Sequence, residues 1–79
     1  MSRYVTGVEY TDEQKNGARK ELDSDLTKIA RGYGGKRTYV DNFIGDIHFI
    51  FDNAITNSLN FSQEASAKKG VVVAKIELI

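Results

Sequence analysis

The chain has 79 residues, which leaves room for one small hydrophobic core and predicts a single domain over residues 1–79. About a quarter of the residues are Leu, Ile, Val or Phe, above the roughly 20% below which chains tend to stay disordered, so the chain is expected to fold. The 11 basic and 11 acidic residues cancel, which argues against a protein that binds a polyelectrolyte through its overall charge. Cysteine is absent, which excludes disulfides, thiolate catalysis and cysteine-based metal sites.

The sequence carries no sign of export or membrane insertion. Its first residues lack the apolar stretch of a signal peptide, and no apolar run approaches the roughly 20 residues that span a bilayer. We therefore expect a cytoplasmic protein with no membrane contact.

Two elements are predicted in the first half of the chain. Side chains alternate between two faces over Arg3–Tyr10, which is typical of a short β-strand. A capping-box pattern at Thr11 and apolar residues at helical spacing over Ala18–Tyr33 then predict a helix, which Gly32 is expected to stop. The dipeptide Asn16-Gly17 favours a turn, so the helix is expected either from Thr11 or only after that turn.

The segment Thr38–Ser62 fits both periods, and the strand period accounts for more of it. As a strand, its large apolar residues fall on odd positions, with a dividing turn at Asp52-Asn53 or Asn57-Ser58. As a helix, a stripe forms from Ile44, Ile47, Phe51, Ala54, Ile55 and Leu59, but Phe43, Phe49 and Phe61 lie outside it. The strand interpretation is therefore preferred.

The chain ends in a predicted strand over Val71–Ile79, reached by a hairpin loop over Gln63–Lys69. Its inward residues are expected to be Val72, Ala74, Ile76 and Leu78. The predicted fold class is α+β, a small two-layer domain with one main helix on a three- to four-stranded, mainly antiparallel sheet in the order β-α-β-β, with room for a further strand.

Histidine chemistry is not indicated. Asp46, His48 and Asp52 share a face in the strand interpretation, but one His without Cys or metal-ligand spacing does not predict a metal site, and no Gly-x-Ser-x-Gly pattern supplies a nucleophile. We expect a solvated polar face and a protein that is not an enzyme, with no catalytic residue, metal or cofactor.

Charge is unevenly distributed along the chain, and this distribution produces two binding hypotheses. A basic stretch with interleaved tyrosines could contact single-stranded nucleic acid through Lys28, Arg31, Tyr33, Lys36, Arg37 and Tyr39. An acidic stretch without Lys or Arg follows, and it could dock on a partner with a basic surface through Asp41, Asp46, His48, Asp52 and Glu64.

The favoured function is a non-enzymatic protein–protein interaction module, for which a small inhibitor or regulator is one expected role. In size and charge it is similar to compact phage or mobile-element inhibitors, an analogy that no motif supports. The partner is expected to be another protein, with nucleic acid as the alternative. Because the apolar strand Val71–Ile79 offers backbone groups to a second chain if it lies at a sheet edge, a homodimer through that edge is also expected.

Overall fold

A computed structural model gives the structure of the protein over residues 3–16, 20–40, 45–52 and 55–78. The elements in chain order are β1 (Arg3–Tyr10), α1 (Asp12–Asn16), α2 (Lys20–Gly32), β2 (Lys36–Thr38), β3 (Ile47–Asp52), α3 (Ile55–Ser66) and β4 (Val71–Leu78). The strands form one antiparallel sheet in the order β2-β3-β1-β4. The α+β two-layer class is confirmed, with α3 as an additional helix between β3 and β4.

The core lies between one face of this sheet and the helices α2 and α3. Directly opposed residues of antiparallel strands project to the same face, so Val8 and Ile47, which pair, enter the core together. The buried apolar residues of the core are Val8, Tyr10, Leu22, Leu26, Ala30, Ile47, Phe49, Phe51, Phe61 and Ala65. The strand β1 is central and is the strand whose boundaries the alternation predicted.

The described residues contain two stretches of the first predicted helix, α1 and α2. The Thr11 hydroxyl accepts the N–H of Gln14 at 3.4 Å, as an N-cap does, and α1 then ends at Asn16. The second described stretch, α2, covers Lys20–Gly32. Residues 17–19, which include the Gly of the turn dipeptide, lie outside the described residues.

The stop signal of α2 is Gly34 and not Gly32, which is the last helical residue. Gly34 has a φ of 82°, and its N–H donates to the carbonyl of Arg31, while the N–H of Gly35 donates to the carbonyl of Ala30 at 2.7 Å. These two bonds are those of a Schellman motif, which needs its left-handed residue two positions after Gly32. The chain then passes so close to Phe51 that a Cβ on Gly35 would lie 2.5 Å from the ring.

The preferred strand interpretation is wrong for the second half of Thr38–Ser62, where Ile55–Ser66 form the helix α3. The helical stripe considered for this segment also has the wrong phase. Phe61 is fully buried, with its ring centroid 5.0 Å from that of Phe49, whereas Ile55 and Leu59 are 43% and 49% exposed. The inward face consists of Phe61 flanked by Ser58 and Ala65, small residues that let the helix approach the sheet.

The last strand forms as predicted but pairs with β1 and not with β3, so the expected hairpin over Gln63–Lys69 is wrong, and α3 continues to Ser66. Val73 lies opposite Glu9, and Val71 lies opposite Tyr10. Val72 is therefore an extra residue in a β-bulge, which turns it outward and leaves it 62% exposed. Of the four residues predicted to point inward, Ala74 and Ile76 are half-buried, whereas Val72 and Leu78, at 64%, are exposed.

Candidate interaction surface

Asp46 of the predicted acidic set contacts other parts of the same chain. Its carboxylate accepts the N–H of Tyr10 at 2.8 Å and lies 3.8 Å from the Lys15 ammonium. Its own N–H donates to the carbonyl of Val8 at 2.8 Å, so Asp46 closes the end of the β1–β3 pairing. Because charge-assisted hydrogen bonds of this kind stabilise strand ends, this carboxylate has a structural role.

The next two members lie on the sheet face opposite the helices. His48 is 6% exposed, its Nδ1 lies 3.4 Å from the N–H of Val40, and the Tyr39 ring lies 6.3 Å from it. Asp52 is half exposed and forms a 2.9 Å ion pair with Arg3. His48 is therefore a buried side chain of the sheet, and the Asp52 carboxylate already has a cationic partner at the surface.

Glu64 belongs to the other layer of the molecule. It lies on α3 and accepts a hydrogen bond from the Tyr33 hydroxyl. The pKa of Tyr33 is raised above its ordinary value, mainly by this hydrogen bond and to a smaller extent by desolvation and by the negative charge of Glu64. Asp41 lies outside the described residues. Over the described ranges, the structure therefore does not bring the acidic set onto one face, and it brings no three metal-ligating side chains together.

The basic set is gathered in part. Arg31, Lys36 and Arg37 line a groove of about 470 Å³ beside the turn Gly34–Gly35. Arg37 also lies 3.9 Å from the Asp23 carboxylate. Lys28 is exposed one turn before Arg31, Tyr33 is bonded to Glu64, and Tyr39 is 80% exposed beside His48.

The two edges of the sheet differ in how they are protected. The edge strand β2 has three residues, two of which are the exposed cations Lys36 and Arg37, and short charged edges resist pairing with another chain. The edge strand β4 has eight residues and is mostly apolar. Within the described part of the sheet it pairs with β1 on one side only, and its bulge at Val72 disturbs only its beginning.

The backbone alternation of β4 shows which of its groups face outward. Successive residues of a strand direct their backbone N–H and C=O groups to opposite sides. The carbonyl of Val8 accepts the N–H of Asp46 on the β3 side, so the backbone groups of the neighbouring Gly7 point toward β4. Gly7 is opposite Lys75, so these two residues form a hydrogen-bonded pair. The alternate residues of β4 therefore direct their N–H and C=O groups away from the sheet: Ala74, Ile76 and Leu78.

An apolar stripe of α3 lies above this outward edge. The Ser62 hydroxyl donates to the Ala74 carbonyl at 3.1 Å, which places this side of α3 over the edge while leaving the carbonyl a second lone pair. Ile55 and Leu59 lie seven and three residues before Ser62 and so share its side of the helix. We call Ile55, Leu59 and Leu78, with the outward backbone of residues 74–78, the β4 edge surface.

Comparisons with known proteins do not assign a function. No protein-family model matches the chain, and neither the curated proteins nor the solved structures show significant similarity to it. None of the helices in the described residues is long and apolar enough to span a bilayer.

Sequence reasoning identified β4 as a candidate edge but missed the contribution of α3. Both the strand and the helix interpretation of the sequence place Ile55 and Leu59 on a buried face. Their exposure follows from the rotation of α3 about its axis, because burial of Phe61 in the core turns Ile55 and Leu59 away from it. The available signal was the pair of small residues Ser58 and Ala65 on either side of Phe61, at spacings of three and four.

Proposed function

We propose that this protein is a non-enzymatic, cytoplasmic protein–protein interaction module that binds a protein segment at the β4 edge surface. The partner adds an extended strand next to Ala74, Ile76 and Leu78, and its main chain satisfies their outward backbone groups. Its apolar side chains lie against Ile55, Leu59 and Leu78, which are 43%, 49% and 64% exposed. The observation that carries the proposal is this coincidence of outward backbone groups with overhanging apolar side chains.

The acidic and basic residues support this choice by what they already contact. Asp46 and Asp52 each lie close to a basic side chain of the same chain, and Arg37 lies close to a carboxylate of the same chain. The β2 edge, on the other side of the sheet, is short and cationic. Among the described surfaces, the β4 edge surface combines three exposed large apolar side chains with strand-pairing positions that no other strand of the described sheet occupies.

The proposal is tested with a library of random decapeptides displayed on phage and selected on the immobilised protein. Enriched peptides are expected to alternate apolar and polar residues, because they bind as strands. Ile76→Pro removes an outward N–H that β1 does not use, and it is expected to weaken these peptides at least about tenfold.

Arg37→Pro is the matched control, because it removes an outward N–H from the β2 edge. It is expected to leave peptide affinity unchanged. Equal binding of the enriched peptides to wild type and to Ile76→Pro would contradict the proposal.

The gathering of Arg31, Lys36 and Arg37 around one groove favours a second candidate, contact with single-stranded nucleic acid. Its signature is an affinity for a labelled mixed-sequence oligonucleotide, measured by fluorescence anisotropy, that falls with salt. With Lys28 as the fourth cation of the basic set, the log–log slope of affinity against salt is expected to be no steeper than about −3. The double variant Lys36→Glu and Arg37→Glu would abolish such binding. Salt-independent anisotropy in wild type, or unchanged binding by the double variant, would remove this candidate.

A further inference from the structure

We infer that the strand added at the β4 edge is β4 of a second copy of this chain, paired antiparallel about a two-fold axis at Ile76. This inference rests on the proposed function and specifies its occupant. In this arrangement Ile76 faces Ile76 of the second copy, and Ala74 faces Leu78. The outward backbone groups of these residues then bond to each other, which extends the sheet from four strands to eight.

The charges on β4 favour this alignment over the two alignments whose two-fold axis is shifted by one residue. Lys75 and Glu77 are exposed and flank Ile76, so pairing centred on Ile76 places each Lys75 opposite a Glu77 of the other copy, twice. A shift of the axis to Lys75 would oppose two lysines, and a shift to Glu77 would oppose two glutamates. In the favoured alignment these charged pairs occupy the non-hydrogen-bonded positions, where opposed side chains are closest.

The helices support the same arrangement. A two-fold axis perpendicular to the sheet keeps both helical layers on one side, so the two α3 helices meet above the joined strands. The stripe of Ile55 and Leu59 faces its own copy there, because Ser62 fixes that side of α3 over the β4 edge. Leu78, which is 64% exposed, lies beside Ala74 of the other copy and is covered. The bulge at Val72 lies outside the paired residues.

Charge reversal tests the alignment directly. Lys75→Glu places a glutamate opposite a glutamate at both charged pairs, and Glu77→Lys places a lysine opposite a lysine. Each variant alone is therefore expected to dimerise at least about tenfold more weakly than wild type. An equimolar mixture of the two restores both pairs and is expected to form a heterodimer. The double variant with Lys75→Glu and Glu77→Lys is expected to dimerise like wild type. Sedimentation equilibrium from micromolar to about 1 mM protein measures all four.

A cysteine placed on the axis gives a second, independent readout. Opposed residues in a hydrogen-bonded antiparallel pair have Cα atoms about 5.5 Å apart, within the range that a disulfide spans. Because the chain has no cysteine, Ile76→Cys is expected to form a covalent dimer under mild oxidation, and adding Lys75→Glu should suppress it. Lys36→Cys on the β2 edge is the control and should remain a monomer.

The outcomes separate this inference from the proposed function. Monomeric wild-type protein at all concentrations overturns the second copy as occupant, while displayed peptides that depend on Ile76 would still support strand addition. A dimer that Ile76→Pro dissociates but both charge reversals leave intact overturns the alignment. A dimer that persists in Ile76→Pro overturns pairing at this edge altogether.

Discussion

Replacing Phe61 by Ala is expected to lower the free energy of unfolding by about 3–5 kcal/mol. The side chain is fully buried, and its ring lies 5.0 Å from that of Phe49 and 5.4 Å from that of Phe51. These contacts join α3 to the sheet, so their loss removes burial and leaves a cavity that Ser58 and Ala65 are too small to fill. Since native proteins are stable by roughly 5–15 kcal/mol and small domains lie at the lower end of that range, the variant is expected to lose most of its stability.

Urea denaturation followed by circular dichroism measures this effect. Leu59→Ala is the matched control, because Leu59 is 49% exposed on the same helix. It is expected to cost about 1 kcal/mol or less when both proteins are dilute enough to be monomeric. A larger loss for Leu59→Ala than for Phe61→Ala would contradict the phase of α3 and support the helical stripe that the sequence offers as the alternative to a strand.

The reason that the phase of α3 could not be predicted lies in its composition. Ile55, Leu59 and Phe61 all occupy odd positions, which imitates a strand, and Ile55 with Leu59 imitates a helical stripe. The inward face is instead one large residue between two small ones. Whether Ser58 is buried depends on the distance between helix and sheet, which Phe61, Phe49 and Phe51 set together and which no local pattern contains.

The parts of the fold that were predictable are those where local signals agree. In β1 the period-2 pattern correctly places Val8 and Tyr10 on the core face, and in α2 the apolar spacing and the charges at both ends indicate the same element. Gly34 replaced Gly32 as the stop because a Schellman motif requires a particular left-handed position, which three nearby glycines leave open in the sequence.

The candidate surface was predictable only in part. The sequence indicates the apolar strand Val71–Ile79 as a candidate edge, but strand order depends on long-range pairing, and the sequence allows a central position for this strand equally well. The acidic residues were predicted from charge alone. Charge does not reveal that Asp46 would accept the N–H of Tyr10 or that Asp52 would pair with Arg3.

Lys75→Pro is expected to cost about 3 kcal/mol or more of the free energy of unfolding, whereas Ile76→Pro, one residue further, costs much less. The N–H of Lys75 points toward Gly7 and belongs to the pairing that holds β4 on the central strand. Proline removes that bond and leaves the Gly7 carbonyl without its partner inside the sheet. The N–H of Ile76 points outward, where an edge strand tolerates proline.

The backbone contribution is isolated by comparing each proline variant with alanine at the same position. Lys75→Ala should be almost neutral because the side chain is exposed, so nearly all the loss in Lys75→Pro comes from the backbone. Ile76→Ala should already account for most of the loss in Ile76→Pro, because the side chain is half-buried. Urea denaturation of the four dilute variants measures both differences.

This comparison decides what a binding defect in Ile76→Pro means. If the two proline variants lose equal stability relative to their alanine controls, the alternation assigned to β4 is wrong, and lost binding would reflect unfolding. If Lys75→Pro alone is unfolded, Ile76→Pro is a folded protein that differs from wild type at its outer edge. Lost peptide binding or lost dimerisation in that variant would then be attributable to the edge itself, since β4 stays paired with β1 through Val73, Lys75 and Glu77.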